Sequence, residues 1–252
     1  MIASLPMYAR PSHRAAHDTF WALIRDGLRD RDVAAPDALD HDIGHTDSWA
    51  HPDLVLGQIC NLPLRAQFMS QVTMIGASDY GLQGCPAGHY SSVFVVHKTN
   101  PADDPLSLTE GSFVCNETGS QSGYGAAQLW ALARGKQFSR VATTGSHHNS
   151  IAAVATGQGD IAAIDAQTWR IETAENPHTE SLKVIGTTDA TPGMTFITRK
   201  GQNPAPYFAA IDAAIRALPQ DAASVLGLRA IVVLPPSAYD LPFPPQPTAI
   251  HA

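Results

Sequence analysis

The chain has 252 residues, 44% of them hydrophobic and only 15% charged, with a formal net charge of −7. That length allows one large domain or two lobes, and the composition excludes a disordered chain. The acidic balance excludes a general nucleic-acid binder, which needs a basic footprint, but leaves room for a local anion site built from backbone dipoles.

In chain order, residues 3–8 read as a first strand, ended by Arg10-Pro11. Ser12 then caps a helix to about Asp30, with Ala16, Phe20, Leu23, Ile24 and Leu28 as its buried stripe. His13 and His17 stand one helical turn apart; with no third ligand nearby they read as a solvated face rather than a metal pair. Residues 33–53 are loop-rich, and His41 and His45 sit there among Asp40, Asp42 and Asp47 in a weakly metal-like pattern. A second strand covers 54–56 and Ile59, Asn61-Leu62-Pro63 is a turn, and 72–75 is a third strand before Gly76. A strand over 90–97 carries the apolar run Val93 to Val96, and a connector over 106–111 leads to a short strand at 112–115. Residues 116–123 are almost wholly small and polar, so they form a turn; 126–133 is a helix and Gly135 stops it. A strand over 138–143 ends in Thr144-Gly145-Ser146-His147-His148, followed by a short helix over 149–156. The strand 160–164 has Asp165 at its end, and 167–173 is a helical turn carrying Trp169. Strands at 182–186 and 194–198 and helices at 203–218 and 221–226 follow, then a proline-rich tail, 235–252, that reads as irregular surface chain.

Alternating strands and helices argue an α/β architecture with mainly parallel sheets, in which ligands bind beyond the carboxyl ends of strands. Polar groups stand at four such ends: Tyr8, Cys60-Asn61, residues 116–122, and Ser146-His147 with Asp165. Ser120 and Ser122 precede a helix start, where they either cap it or join its free N–H groups in cradling an anion. Convergence of the strand ends favours the cradle. His147 or His148 is a natural anion partner there, and Asp165 and Trp169 complete the site, although Trp169 fits core packing as well. Ser122, His147 and Asp165 could also assemble as a nucleophilic triad in space. Residues 119–123 are nevertheless not a nucleophile elbow, because Gln121 takes the place of the serine. No phosphate-binding lysine loop or dinucleotide glycine motif is present, so no cofactor is expected. The cysteines, Cys60, Cys85 and Cys115, are too dispersed for zinc; Cys60 and Cys85 are the better candidates for a disulfide. No apolar run is long enough to cross a membrane, and residues 1–14 lack the features of a signal peptide.

Four pieces taken in order resemble the phosphate/phosphonate substrate-binding proteins of ABC importers, which are two-lobed periplasmic binding proteins of the type II fold. They are Asn116-Glu117-Thr118-Gly119-Ser120-Gln121-Ser122-Gly123-Tyr124, Thr144-Gly145-Ser146-His147, Ile151-Ala152-Ala153-Val154 and Gly159-Asp160-Ile161-Ala162-Ala163-Ile164-Asp165. Gly84-Cys85-Pro86 with Tyr90 looks similar too, and the resemblance covers roughly residues 54–198. It implies an α/β fold of two lobes, residues 1–95 plus 191–252 and residues 96–190. Each would be a mainly parallel sheet flanked by helices, with the ligand in a cleft between lobes and hinges near Val96 and Thr191. It implies a monomeric solute-binding protein, not an enzyme, that hands a small anionic ligand to an ABC permease in the membrane. Its place would be the periplasm, with the cytoplasm as the alternative. Ser120, Gln121 and Ser122 would hold the anion's oxygens and His147 would face it. Tyr8, Cys60 and Asn61 would close over the ligand, with Tyr90, Asp165 and Trp169 as further contacts. In aminophosphonate binders a glutamate grips the amine; by spacing from His147 that place falls on Gln167, two residues after Asp165. The alternatives are an enzyme on the same fold, of the thiamine-pyrimidine-synthesis kind, and a cytoplasmic ligand sensor.

Overall fold

The computed structural model describes residues 1–247, 250 and 251. It contains two units. Unit 1 comprises Met1–Gly81, Pro86–His89 and Pro192–Tyr239; unit 2 comprises Leu82–Cys85, Tyr90–Thr191 and Asp240–Ala252.

Unit 1 is built on a five-stranded sheet in the order Ile2–Ser4, Leu54–Ile59, Thr195–Arg199, Val72–Asp79, Ala230–Val232. Only the first pair is parallel; Thr195–Arg199 runs antiparallel to both neighbours, and Ala230–Val232 antiparallel to Val72–Asp79. The expectation of a mainly parallel sheet is therefore corrected for this unit. A parallel pairing needs a long crossover, whereas the chain enters Thr195–Arg199 directly from Pro192 and runs back between two strands laid down earlier. The first strand is shorter than the 3–8 expected, because Pro6 has no N–H to give a ladder. Val72–Asp79 is longer: Gly76 is no stop but a point of close approach, where a Cβ would meet Ile231 Cγ1 at 2.8 Å.

The helix Arg14–Arg29 buries Ala16, Phe20, Ile24 and Leu28, as the helical period requires, and packs on the helix Pro204–Ala217. Gly27 meets Ala210 there. His13 and His17 do not form a solvated face: they are 7% and 6% exposed. The buried stripe is wider than the apolar period alone suggests, and His17 Nδ1 lies 3.1 Å from the His13 carbonyl. His41 Nε2 pairs with Asp18 Oδ1 at 2.6 Å, and His45 packs its ring on Trp49 inside a short helix, His45–Trp49. No group of three or more His, Cys, Asp or Glu side chains among the described residues is placed to hold a metal.

Unit 2 is a six-stranded sheet in the order Ile250–His251, Arg140–Thr143, Ser112–Cys115, Ile161–Asp165, Ser92–His97, Leu182–Thr187. The first four are parallel and the last two pairings antiparallel. Side chains alternate across it. Phe94, Phe113 and Ala163 face an aromatic layer with Trp130 and Phe138; Val95, Val114 and Ala162 face Ile151 and Val154 on the other side. Phe113 and Phe138 stack at 4.5 Å. The proline-rich tail, expected in the first lobe, divides: the turn Pro236–Tyr239 belongs to unit 1, and residues 240–247, 250 and 251 lie with unit 2. Tyr124 donates to the Pro245 carbonyl at 2.7 Å, and the backbone of Ile250–His251 pairs with Val141 and Ala142. A proline-rich segment can still supply such isolated bonds.

None of the three cysteines is in a disulfide, so the expected Cys60–Cys85 bridge is absent; Cys85 Sγ sits 3.5 Å from Ser91 Oγ. No helix among the described residues is long and apolar enough to cross a membrane.

Candidate anion-binding site

Three neighbouring parallel strands of unit 2, Arg140–Thr143, Ser112–Cys115 and Ile161–Asp165, each run into the start of a helix. Their order in the sheet gathers the positive ends of three helices along one edge. Each start is capped by its own sequence. Ser120 Oγ accepts from Gly123 N at 3.1 Å, Ser146 Oγ from Asn149 N at 3.1 Å, and Asp165 Oδ1 from Gln167 N and Thr168 N at 2.7 and 2.9 Å. The strand ends are tied together, with Thr144 N donating to Cys115 O and Gly145 N to Asn116 O.

The central helix opens with a widened turn, Gln121–Gly125, in which Gly125 N reaches back five residues to Ser120 O at 2.9 Å. Such π-helical turns recur at functional sites. Helix His147–Ala155 begins two residues earlier than the 149–156 expected, because Ser146 is its cap; His147 therefore stands in the first helical turn, not in a loop. Its Nε2 lies 2.9 Å from Ser122 Oγ, and Ser122 Oγ lies 3.4 Å from Ser120 Oγ. Ser92 Oγ holds the carbonyl of Ser122 at 2.9 Å, and Ser92 is the ladder partner of Asp165. Gly123 leaves room for a neighbour here: a Cβ would fall 1.8 Å from Asn116 Oδ1 and 3.3 Å from His147 Cε1. The donors assembled are hydroxyls, backbone N–H groups and an imidazole, a set suited to oxyanion oxygens without a formal counter-charge.

His148 turns away from this cluster. Its Nδ1 lies 3.0 Å from Glu172 Oε2, which also accepts from Asn176 Nδ2 at 2.7 Å. Under the site, Cys115 is fully buried; burial, with Glu117 adding to it, pushes its thiol up to about 12, so it stays protonated.

Residues 64–232 match the family described as ABC transporter, phosphonate, periplasmic substrate-binding protein. The chain belongs to that family. No curated protein sequence matches it. Among solved structures, the chain is similar to PhnD1 from Prochlorococcus marinus in complex with methylphosphonate, at 16% identity and TM-score 0.69, over 95% of this chain and 94% of that one. It is similar to XAC2383 from Xanthomonas citri at 14% identity and TM-score 0.66, over 94% and 93%. A binding protein component of an ABC phosphonate transporter from Pseudomonas aeruginosa matches at 15% and 0.64, over 95% and 82%. Two-lobed periplasmic binding proteins thus share its fold, and solute binding is its function.

The remaining expected residues of this substrate-binding protein are placed as follows. Gln121 is fully buried in the widened turn. Asp165 is 1% exposed, with Oδ1 engaged as a helix cap. Trp169 is half-buried and packs on the Ile151 and Val154 cluster, and Tyr90 is buried. In unit 1, Asn61 is not in an isolated turn but opens a helix, Asn61–Pro63, continued by a second widened turn, Leu64–Phe68. Its Oδ1 accepts from Arg65 Nε at 2.6 Å and its Nδ2 lies 3.5 Å from Pro192 O. Cys60 is buried just before it, and Tyr8 meets Tyr80 edge-on at 5.0 Å. Gln58 Nε2 donates to Ser78 Oγ at 2.7 Å and to Tyr80 OH at 3.3 Å. Sequence reasoning missed Ser92, Gln58, Arg65 and Tyr80. The signal for Arg65 was its place one helical turn after Asn61; Ser92 carried none.

Proposed function

We propose that this protein captures a phosphonate- or phosphate-like oxyanion with Ser120, Ser122, His147 and the N–H groups of the widened turn. The observation that carries the reading is the 2.9 Å contact of Ser122 Oγ with His147 Nε2 at the edge where three helix starts gather. Support comes from the family description and from the similarity to the methylphosphonate-bound PhnD1 structure. Gln121, Asp165 and Trp169, and Tyr8, Cys60, Asn61 and Tyr90, stand as further proposed contacts. The protein works as a monomer in the periplasm, delivers its ligand to an ABC permease, binds no nucleic acid and performs no chemistry.

A hydrolase reading of Ser122 and His147 has less support. The Asp165 carboxylate that a triad would use is engaged in capping its own helix. The test is thermal unfolding with methylphosphonate, phosphate, sulfonate and sulfate. A ligand bound only by the folded state raises the melting temperature with concentration. A rise with methylphosphonate or phosphate is expected; no rise with any of the four would refute the proposal, and consumption of a ligand would favour the enzyme.

A further inference from the structure

Asn116 lies between the strand Ser112–Cys115 and the serine-rich turn, and its side chain is oddly placed. The amide Oδ1 is fully enclosed and meets no hydrogen-bond partner among the described residues. It presses on Gly123, at the spot a Cβ would need. The same spot is 3.3 Å from His147 Cε1, so the amide oxygen and the imidazole carbon are no more than about 5 Å apart. Asn116 as a whole is partly exposed, so with the oxygen enclosed, Nδ2 is the polar atom left toward the outside.

This side chain makes no hydrogen bond among the described residues that would hold the fold. The capping of the helix is done by Ser120, and the tie to the neighbouring strand is made by the backbone carbonyl of Asn116, not its amide. An enclosed acceptor without a partner costs stability, and an apolar side chain of the same shape would avoid that cost. Retaining an amide there, and a glycine to admit it, makes sense if the amide's other end has work to do. We propose that Asn116 Nδ2 is a further anion donor beside Ser122 Oγ and His147 Nε2, and that Gly123 is the residue that lets it reach. The proposal rests on the oxyanion reading above and deepens it.

Methylphosphonate is titrated calorimetrically into the parent protein, Asn116→Asp, Asn116→Ala and Gly123→Ala, at pH 7.5 and pH 5, each variant compared with the parent at the same pH. Removing one hydrogen bond to a charged ligand is worth roughly tenfold or more, so Asn116→Ala binds about 10-fold more weakly at both pH values. Asn116→Asp keeps the shape but faces the anion with a like charge, and binds at least about 30-fold more weakly at pH 7.5. That deficit shrinks at pH 5, because a carboxylate forced beside a bound anion takes up a proton. A merely structural asparagine would show no such pH-dependent gap between the two variants. Gly123→Ala, which displaces the amide, falls at or below Asn116→Ala. Parent-like affinity in Asn116→Asp or Asn116→Ala overturns the inference while leaving the oxyanion site standing. A parent that binds neither methylphosphonate nor phosphate removes both.

Discussion

In unit 1 the chain leaves the strand Leu54–Ile59 and enters the widened turn Leu64–Phe68; in unit 2 it leaves Ser112–Cys115 and enters Gln121–Gly125 in the same manner. The backbone device is common to both, but the side chains put it to different use. In unit 1 the polar groups are matched to one another: Asn61 to Arg65 and the Pro192 carbonyl, Gln58 to Ser78 and Tyr80. In unit 2 the hydroxyls of Ser120 and Ser122 meet, among the described residues, each other, His147 and one backbone N–H. Those are contacts a ligand oxygen can replace. A widened helix start is thus no signature of a binding site by itself. What distinguishes the second is a cluster of hydroxyls and an imidazole beside a helix start, in contacts that ligand oxygens can replace.

The comparison breaks most sharply under paired substitution. Ser122→Ala with His147→Ala removes two hydrogen bonds to a charged ligand, each worth about 1.5–3 kcal/mol, and lowers methylphosphonate affinity at least about 100-fold. The melting temperature of the ligand-free protein stays close to the parent's. A large fall in that temperature with intact affinity would show that the pair is structural. Asn61→Ala gives the reverse pattern: it removes a fully buried amide and its bonds to Arg65 and the Pro192 carbonyl in unit 1, and costs about 1–3 kcal/mol of stability by chemical denaturation. A stability equal to the parent's would mean that unit 1 is not internally satisfied as described. Asp165→Ala sits between the two. Losing the cap of the helix Ala166–Glu175 costs about 1 kcal/mol, visible in the same denaturation curves; an unchanged curve would free Asp165 from that role.

The smallest effect concerns His17. Its burial holds it below the ordinary histidine value of 6.5, with the His13 carbonyl and Asp18 working the other way and His13 and His41 adding to the lowering. Below pH 6.5 the unfolded chain takes up a proton that the folded chain refuses, so stability falls from there down to the depressed folded value. His17→Gln should flatten the loss of stability between pH 6.5 and 5. An equally steep slope in the variant would place the acid sensitivity elsewhere.

Much of this was legible in the sequence. Apolar periodicity gave the stripe Ala16, Phe20, Ile24 and Leu28, and composition marked the strand Ser112–Cys115 and its polar turn. The ordered Ser120-Gln121-Ser122 and Ser146-His147 pieces pointed to one family, and the contact of Ser122 with His147 follows from the parallel pairing of their strands. What periodicity could not carry was direction and long-range pairing. The antiparallel entry of Thr195–Arg199, the burial of His13 and His17, and the docking of the tail on unit 2 all depend on partners far away in sequence. Ser92 is the same case: it matters through Ser122, 30 residues on.

The central claim is that the anion's oxygens are received by the serine-rich helix start and His147. A crystal structure of the protein with methylphosphonate tests it most directly. The account predicts the phosphonate oxygens within hydrogen-bond distance of Ser122 Oγ and His147 Nε2. A phosphonate bound elsewhere, with the Ser122–His147 contact unchanged, would contradict it.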